Sequence, residues 1–390
     1  MDKAFLGSLL VMLLVHTSTP LIDALGQTTD KGLSAGQTNA IVSELWNLHR
    51  QKIQFKRQTE MDARRLKLGE LEMPFWHQIY GEKPENGRSL YISLHGGGGV
   101  PKEVNDQQWE RHKRLYQLKE GIYLVPRAPT NTWNLWHQPH IDKFFGRLIE
   151  NLIILEDVDP NRVYVMGYSA GGDGVYQIGP RMADRWATVA MMAGHPNDSK
   201  PDSLRNTAFT LHMGALDSAY NRNQVAKKWK ELLSQLQAND PGGYKHLVQI
   251  HEDKGHWMEG EDRVAIPWMT ENTRRPYPEK IVWLQDDVTH NRFYWLVVKG
   301  ESVQGRSRIV ATRNGQRINI EFSTVPTVII RLNDKMLDLD LPVEIQFRGR
   351  SLFQGQVKRA KAVIEKTIAE RGDYTGIFSA EVMVDIPPTD

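Results

Sequence analysis

From about residue 73 the sequence alternates between short apolar runs and longer stretches with apolar residues at helical spacing. No other feature restricts the fold as much. SLYISLHGGGG, GIYLVPRAP and RVYVMGYSAGG each carry an apolar run that ends in a glycine- or proline-rich loop. TVAMMAGH, AFTLHMGALD and HLVQIHEDKGH repeat the pattern further along. Between them IDKFFGRLIENLIILED places Phe144, Leu148, Leu152 and Leu155 on one helical face. Strands that are apolar throughout are covered on both sides, so the alternation predicts a mostly parallel sheet flanked by helices. Such sheets meet their ligands at the carboxyl ends of the strands. The candidate functional residues cluster at those ends.

One of these junctions carries chemistry. In VYVMGYSAGGDG a serine, Ser169, stands between Gly167 and Gly171, with Gly172 next to them. A strand that turns sharply into a helix lifts the residue at the turn above the sheet edge, and crowding there demands glycine on either side. Serine is a poor nucleophile unless a base takes its proton and an acid orients the base. The strand order places the acid before the histidine, on loops after later strands. Asp217 in HMGALDSAYNR and His256 in HEDKGHWM meet that requirement. Asp253 is the rival acid, being close to His256 in the chain, whereas Asp173 is too near the serine to approach the histidine from its far side. His212 and His251 fall within strands and read as core or rim residues, and His195 reads as a pocket wall. His137, His140 and Asp142 are spaced as polar loop contacts, and no metal site is expected.

An oxyanion needs backbone N–H donors close to the serine. LHGGGG supplies glycines that let the chain approach a substrate, so Gly97 or Gly98 is expected to act with the Ala170 N–H. A P-loop ending and a spaced dinucleotide fingerprint are both missing from this run. Trp133 and Trp136 in TNTWNLWHQPH and Trp257 beside the candidate base form an aromatic set expected to wall a substrate pocket with His195.

In the order HGGGG, GYSAGG, Asp217 loop and GHWM, the chain resembles the α/β-hydrolase superfamily. The closer likeness is to exported esterases of the polyhydroxybutyrate-depolymerase and feruloyl-esterase type, over residues 73 to 275. The resemblance implies an α/β-hydrolase fold and a carboxylic ester hydrolase that works through an acyl-serine, with no metal or organic cofactor. The implied substrate is an ester with an acyl, aromatic or glycan-linked group. The segment also resembles the catalytic part of prolyl-oligopeptidase-like peptidases, which use the same residues on amides. A third alternative is a polymer-binding protein in which the hydrolase part is incidental.

The flanks lie outside that resemblance. Lys3 followed by the apolar run Ala4–Val15 and the small residues Ala24 and Gly26 has the layout of an export signal over residues 1–26. The run is well short of the roughly 20 residues a membrane span needs. Export without any cysteine leaves packing, not disulfides, to stabilise the fold. The near balance of 49 basic and 47 acidic residues gives no electrostatic footprint for nucleic acid. Residues 27–72 are expected to be helical and 73–278 to form the catalytic domain. Residues 279–390 are expected to form a small antiparallel β-rich accessory domain, with Asn314-Gly315 at a hairpin turn.

Overall fold

The computed structural model describes residues 32–388, so the signal-like segment lies outside the described residues. Residues 33–388 pack as one compact unit. A long helix, α1 (Ala35–Asp62), opens it, capped by Ser34 and Gln37 in a reciprocal capping box. Ile41 is buried and Leu45 packs beside it, but Leu48 is exposed.

The central sheet contains β1 (Arg65–Leu68), β2 (Leu71–Tyr80), β3 (Arg88–Leu94), β4 (Gly121–Pro126), β5 (Val158–Tyr168), β6 (Thr188–Met192), β7 (Ala208–Gly214) and β8 (His246–His251). Its order is β1-β2-β4-β3-β5-β6-β7-β8, with β1 and β2 antiparallel to their neighbours and the remaining pairs parallel. The sheet therefore begins at Arg65, inside the stretch expected to be helical. RLKL and LEM alternate in burial about a tight turn at Gly69, with Leu66 and Met73 buried, which is a period-two pattern that a helix cannot satisfy.

Both faces of the parallel strands are covered. Val163 and Val165 of β5 face the layer that contains α3 (Pro139–Leu155) and α4 (Ala170–Arg181), whereas Tyr164 and Met166 face the layer that contains α6 (Ala265–Thr270). Helix α2 (Lys102–His112) lies on the latter side through Trp109, and α5 (Arg222–Asn239) on the former through Trp229. This is the α/β-hydrolase fold, and it points the ends of β3, β5, β7 and β8 at one rim.

After α6 the chain builds two further sheets. One has β9 (Lys280–Leu284), β12 (Arg308–Asn314), β13 (Arg317–Ser323), β15 (Val343–Phe347) and β16 (Arg350–Gly355), in the order β16-β15-β13-β12-β9. The other has β10 (Arg292–Phe293), β11 (Leu296–Val297), β14 (Thr327–Leu332) and β17 (Ala380–Asp385). Helix α7 (Lys361–Arg371) precedes the last strand. The hairpin forms as expected, with Asn314 opposite Arg317 and Gly315 at φ 55°. The sheet is not wholly antiparallel, because β13 and β15 run parallel. Between them β14 crosses to the other sheet, so β15 returns in the same direction as β13. RFYWLVV is likewise not one strand but two short ones, folded at Tyr294 with φ 53°. Phe293, Trp295 and Ile330 share a continuous core with Phe145 and Trp186 of the hydrolase part.

Candidate active site

Ser169 occupies the turn between β5 and α4 with φ 58° and ψ −122°, a backbone region that L-residues seldom adopt. The serine itself carries the strained conformation. The flanking glycines serve a different need, which is close approach. A Cβ on Gly171 would lie 2.0 Å from the Leu94 carbonyl oxygen, and one on Gly167 would lie 2.3 Å from the Gly171 oxygen. The elbow is thus wedged between the end of β3 and its own helix.

Asp217 follows β7 and His256 follows β8. His256 Nδ1 lies 2.7 Å from Asp217 Oδ2, and its Nε2 lies 2.9 Å from Ser169 Oγ. A carboxylate can only accept, so Nδ1 carries the proton and Nε2 is left to accept from the serine hydroxyl. The Asp217 residue is only 2 % exposed, which shields this bond from solvent. Asp253, the rival acid, is exposed and makes no hydrogen bond to His256. Arg222, at the start of α5, holds a guanidinium nitrogen 3.8 Å from Asp217 Oδ1.

Tyr168, immediately before the serine, holds the histidine loop. Its hydroxyl donates to the His256 carbonyl at 2.7 Å and accepts from the Met258 N–H at 2.9 Å. A fluctuation of that loop would otherwise change the Ser169–His256 distance directly. Nothing in the sequence signals this role, because the contact joins residues 88 positions apart.

The glycine run after β3 lies above the elbow. Gly97 and Gly98 have φ 116° and 114°, accessible in practice only to glycine. The side chain of Asn105 clamps Gly98 on both sides: Oδ1 accepts its N–H at 3.0 Å and Nδ2 donates to its carbonyl at 3.0 Å. Gly98 is therefore corrected from oxyanion donor to cavity wall, since its N–H is already committed. Among the described residues no hydrogen bond engages the N–H of Gly97 or of Ala170. His95 braces the run from beneath. Its Nδ1 donates to the Gly96 carbonyl at 2.6 Å and its Nε2 accepts from the Ala128 N–H at 3.2 Å. Complete burial pushes its pKa down to about 3, so the ring stays neutral.

A cavity of about 530 Å³ opens over Ser169 between Gly97, Trp133, His195, Tyr220 and Arg222. Of the aromatic set, Trp133 is 65 % exposed and lines it, and His195 lines it too. Trp136 does not. It is fully buried, its indole N–H donates to the His95 carbonyl at 2.9 Å, and its ring packs on Phe145. Only Asn134 and Leu135 separate it from Trp133, but the intervening turn directs one ring outward and the other into the core. Trp257 is exposed and packs against Tyr168, outside the cavity lining. Tyr220 and Arg222, which sequence reading passed over, supply the opposite wall, with the guanidinium carbon 4.8 Å from the Tyr220 ring centre. Asp173 also lines it. It accepts the His195 N–H at 2.6 Å, and burial raises its carboxyl above the ordinary aspartate range. His140 and Asp142, expected in a loop, lie instead in the first turn of α3, where Asp142 is taken by Arg181 and His290.

The sheet order and the elbow are those of the α/β-hydrolase fold. No family model matches the chain. It is 31 % identical over 132 residues to "Putative esterase NocK" of Nocardia uniformis subsp. tsuyamanensis, a match covering 31 % of this chain and 37 % of that protein. It is 28 % identical over 140 residues to the bifunctional acetylxylan esterase/xylanase XynS20E of Neocallimastix patriciarum, covering 35 % of this chain and 20 % of that one. Both matches therefore span well under two thirds of the relatives' length. Among solved structures, a thermostable esterase aligns over 54 % of this chain and 62 % of its own, with 19 % identity and a TM-score of 0.41.

Proposed function

We propose that the chain is an exported serine hydrolase of carboxylic esters. Ser169 attacks the ester carbonyl while His256 Nε2 takes its proton. Asp217 holds the imidazole in the tautomer that can accept it and stabilises the imidazolium that forms. The carbonyl oxygen gains its charge between the N–H groups of Gly97 and Ala170. Collapse of the tetrahedral intermediate expels the alcohol, which leaves with the proton from His256. Water, activated by the same imidazole, then releases the acid from the acyl-serine. One observation supports this reading above the others: the unbroken hydrogen-bonded line from Ser169 through His256 to buried Asp217. The esterase names of the two sequence relatives favour esters over amides as substrates. Export rests on the signal-like residues 1–26.

The test is hydrolysis of p-nitrophenyl esters by wild type and Ser169→Ala. Turnover should fall at least about 10⁴-fold, because the three groups act as a unit, while the melting temperature holds. A folded Ser169→Ala protein with near-normal turnover overturns the proposal. Paired aminoacyl anilides separate the esterase from a peptidase.

A further inference from the structure

Away from the active site, a second cavity of about 850 Å³ lies where α3 and α1 meet the loop before β10 and the end of α7. Its charged groups do not cancel. Asp142 is taken by Arg181 and His290, and Glu150 by His49 and Arg57. Glu370 is 2.7 Å from Arg331, leaving Arg292 a shared contact at 3.5 Å. Asp287, the other carboxylate in the wall, is exposed. Two cations of the wall, Arg185 and Lys143, have no ion pair among the described residues.

Arg185 is the telling member. It is 6 % exposed, donates one bond from Nη2 to the Arg371 carbonyl at 3.0 Å, and leaves Nη1 buried with no hydrogen-bond partner. The nearby guanidiniums of Arg371 and Arg292 add repulsion, which Asp373 and Asp184, already paired with Arg274 and Arg371, offset only in part. Burial, then Arg371 and Arg292, depress the Arg185 pKa, and burial followed by Arg371 brings that of Arg292 down to about 10. A buried guanidinium with like charges beside it is strongly unfavourable unless an anion compensates it. Planar guanidinium forks match tetrahedral oxyanions in geometry and charge.

We propose that this cavity is an anion site, in which Arg185 and Arg292 take an oxyanion of the phosphate or sulfate type, with Arg371, itself held by Asp184, adding positive charge, at the junction of the central and the β-rich sheets. The anion stabilises the fold by joining α7 and the β10 loop to the hydrolase helices. It is either a free ion or a group borne on a larger molecule.

The test uses the full chain at constant ionic strength, with inorganic phosphate replacing chloride. Wild-type Tm should rise saturably with phosphate. Arg292→Gln, on the accessible wall, should weaken the apparent affinity at least tenfold. Arg185→Met should abolish the response, and in phosphate-free chloride it should melt no lower than wild type, having lost an uncompensated charge. Glucose 6-phosphate provides the second arm. Tenfold tighter binding than inorganic phosphate assigns the site to a borne group, and equal or weaker binding assigns it to the free ion. A wild-type Tm that responds identically to phosphate and chloride, or an Arg292→Gln protein with wild-type affinity, overturns the site.

Discussion

The rim of the central sheet and the junction with the β-rich sheets both bury polar groups, but they use them in opposite ways. At the rim the polar groups form a line that ends on one exposed hydroxyl: Asp217 is sealed, His256 is half open, and Ser169 faces the cavity. At the junction, Arg185 apart, the buried polar groups close on one another. Arg274 donates to Asp373, both almost wholly buried, and Arg371 pairs with Asp184. The first arrangement leaves its last group open to the cavity. The second ties Asp184 and Arg274 to Arg371 and Asp373 and so joins two parts of the chain. The same chemical ingredients give reactivity or cohesion according to whether the chain of partners ends at solvent.

That contrast predicts which property each mutation should damage. The largest effect belongs to the rim. Asp217→Asn should lower turnover by up to about 10⁴-fold, because the imidazole is then held in the wrong tautomer, yet leave Tm nearly unchanged. Asp253→Asn should do neither. Steady-state kinetics beside a melting curve checks both variants, and the reverse ranking would transfer the acid to Asp253.

At the junction the expected loss is of stability. Asp373→Asn leaves the Arg274 guanidinium buried without its carboxylate, which costs about 3–5 kcal/mol. Turnover per folded molecule should stay at the wild-type level. Urea unfolding combined with active-site titration measures the two separately, and a variant with normal stability but poor turnover would erase the distinction between the regions.

Smallest is the share of any one buried histidine in the pH dependence of stability. Burial holds His95, His112 and His212 down at about 3, against about 6.5 in an unfolded chain. Above pH 6.5 neither state binds these protons. Below it the unfolded chain takes protons that the folded one refuses, so stability falls as pH drops from 6.5 towards 3. Each ring contributes about 1.4 kcal/mol per pH unit. The urea midpoint should drop between pH 7 and pH 5, and His212→Gln should shallow that drop. An unchanged slope would mean that His212 does not titrate as buried.

The sequence is legible at the rim because each feature there is local. Ser169 announces itself through its glycines and the flanking strand and helix, and Asp217 and His256 stand at strand ends in a fixed order. What the sequence hides depends on where neighbouring segments lie. Trp133 and Trp136 look alike in one loop, yet only the folded turn separates pocket wall from core. Asn105 removes Gly98 from the candidate donors from a helix whose sequence says nothing of the glycine run. Tyr168 reads as an ordinary strand residue until the β8 loop settles over it. In the β-rich part, β13 and β15 become parallel only because β14 leaves for another sheet, and no local pattern records that departure.

The most direct measurement is covalent. Incubation with a fluorophosphonate, followed by peptide mass spectrometry, should place one adduct on Ser169 in the wild type. Labelling should slow by orders of magnitude in His256→Ala, because the base that activates the hydroxyl has gone. Folded wild-type protein that takes no adduct at Ser169, or His256→Ala protein labelled as fast as wild type, would contradict the assignment of Ser169 and His256 as nucleophile and base.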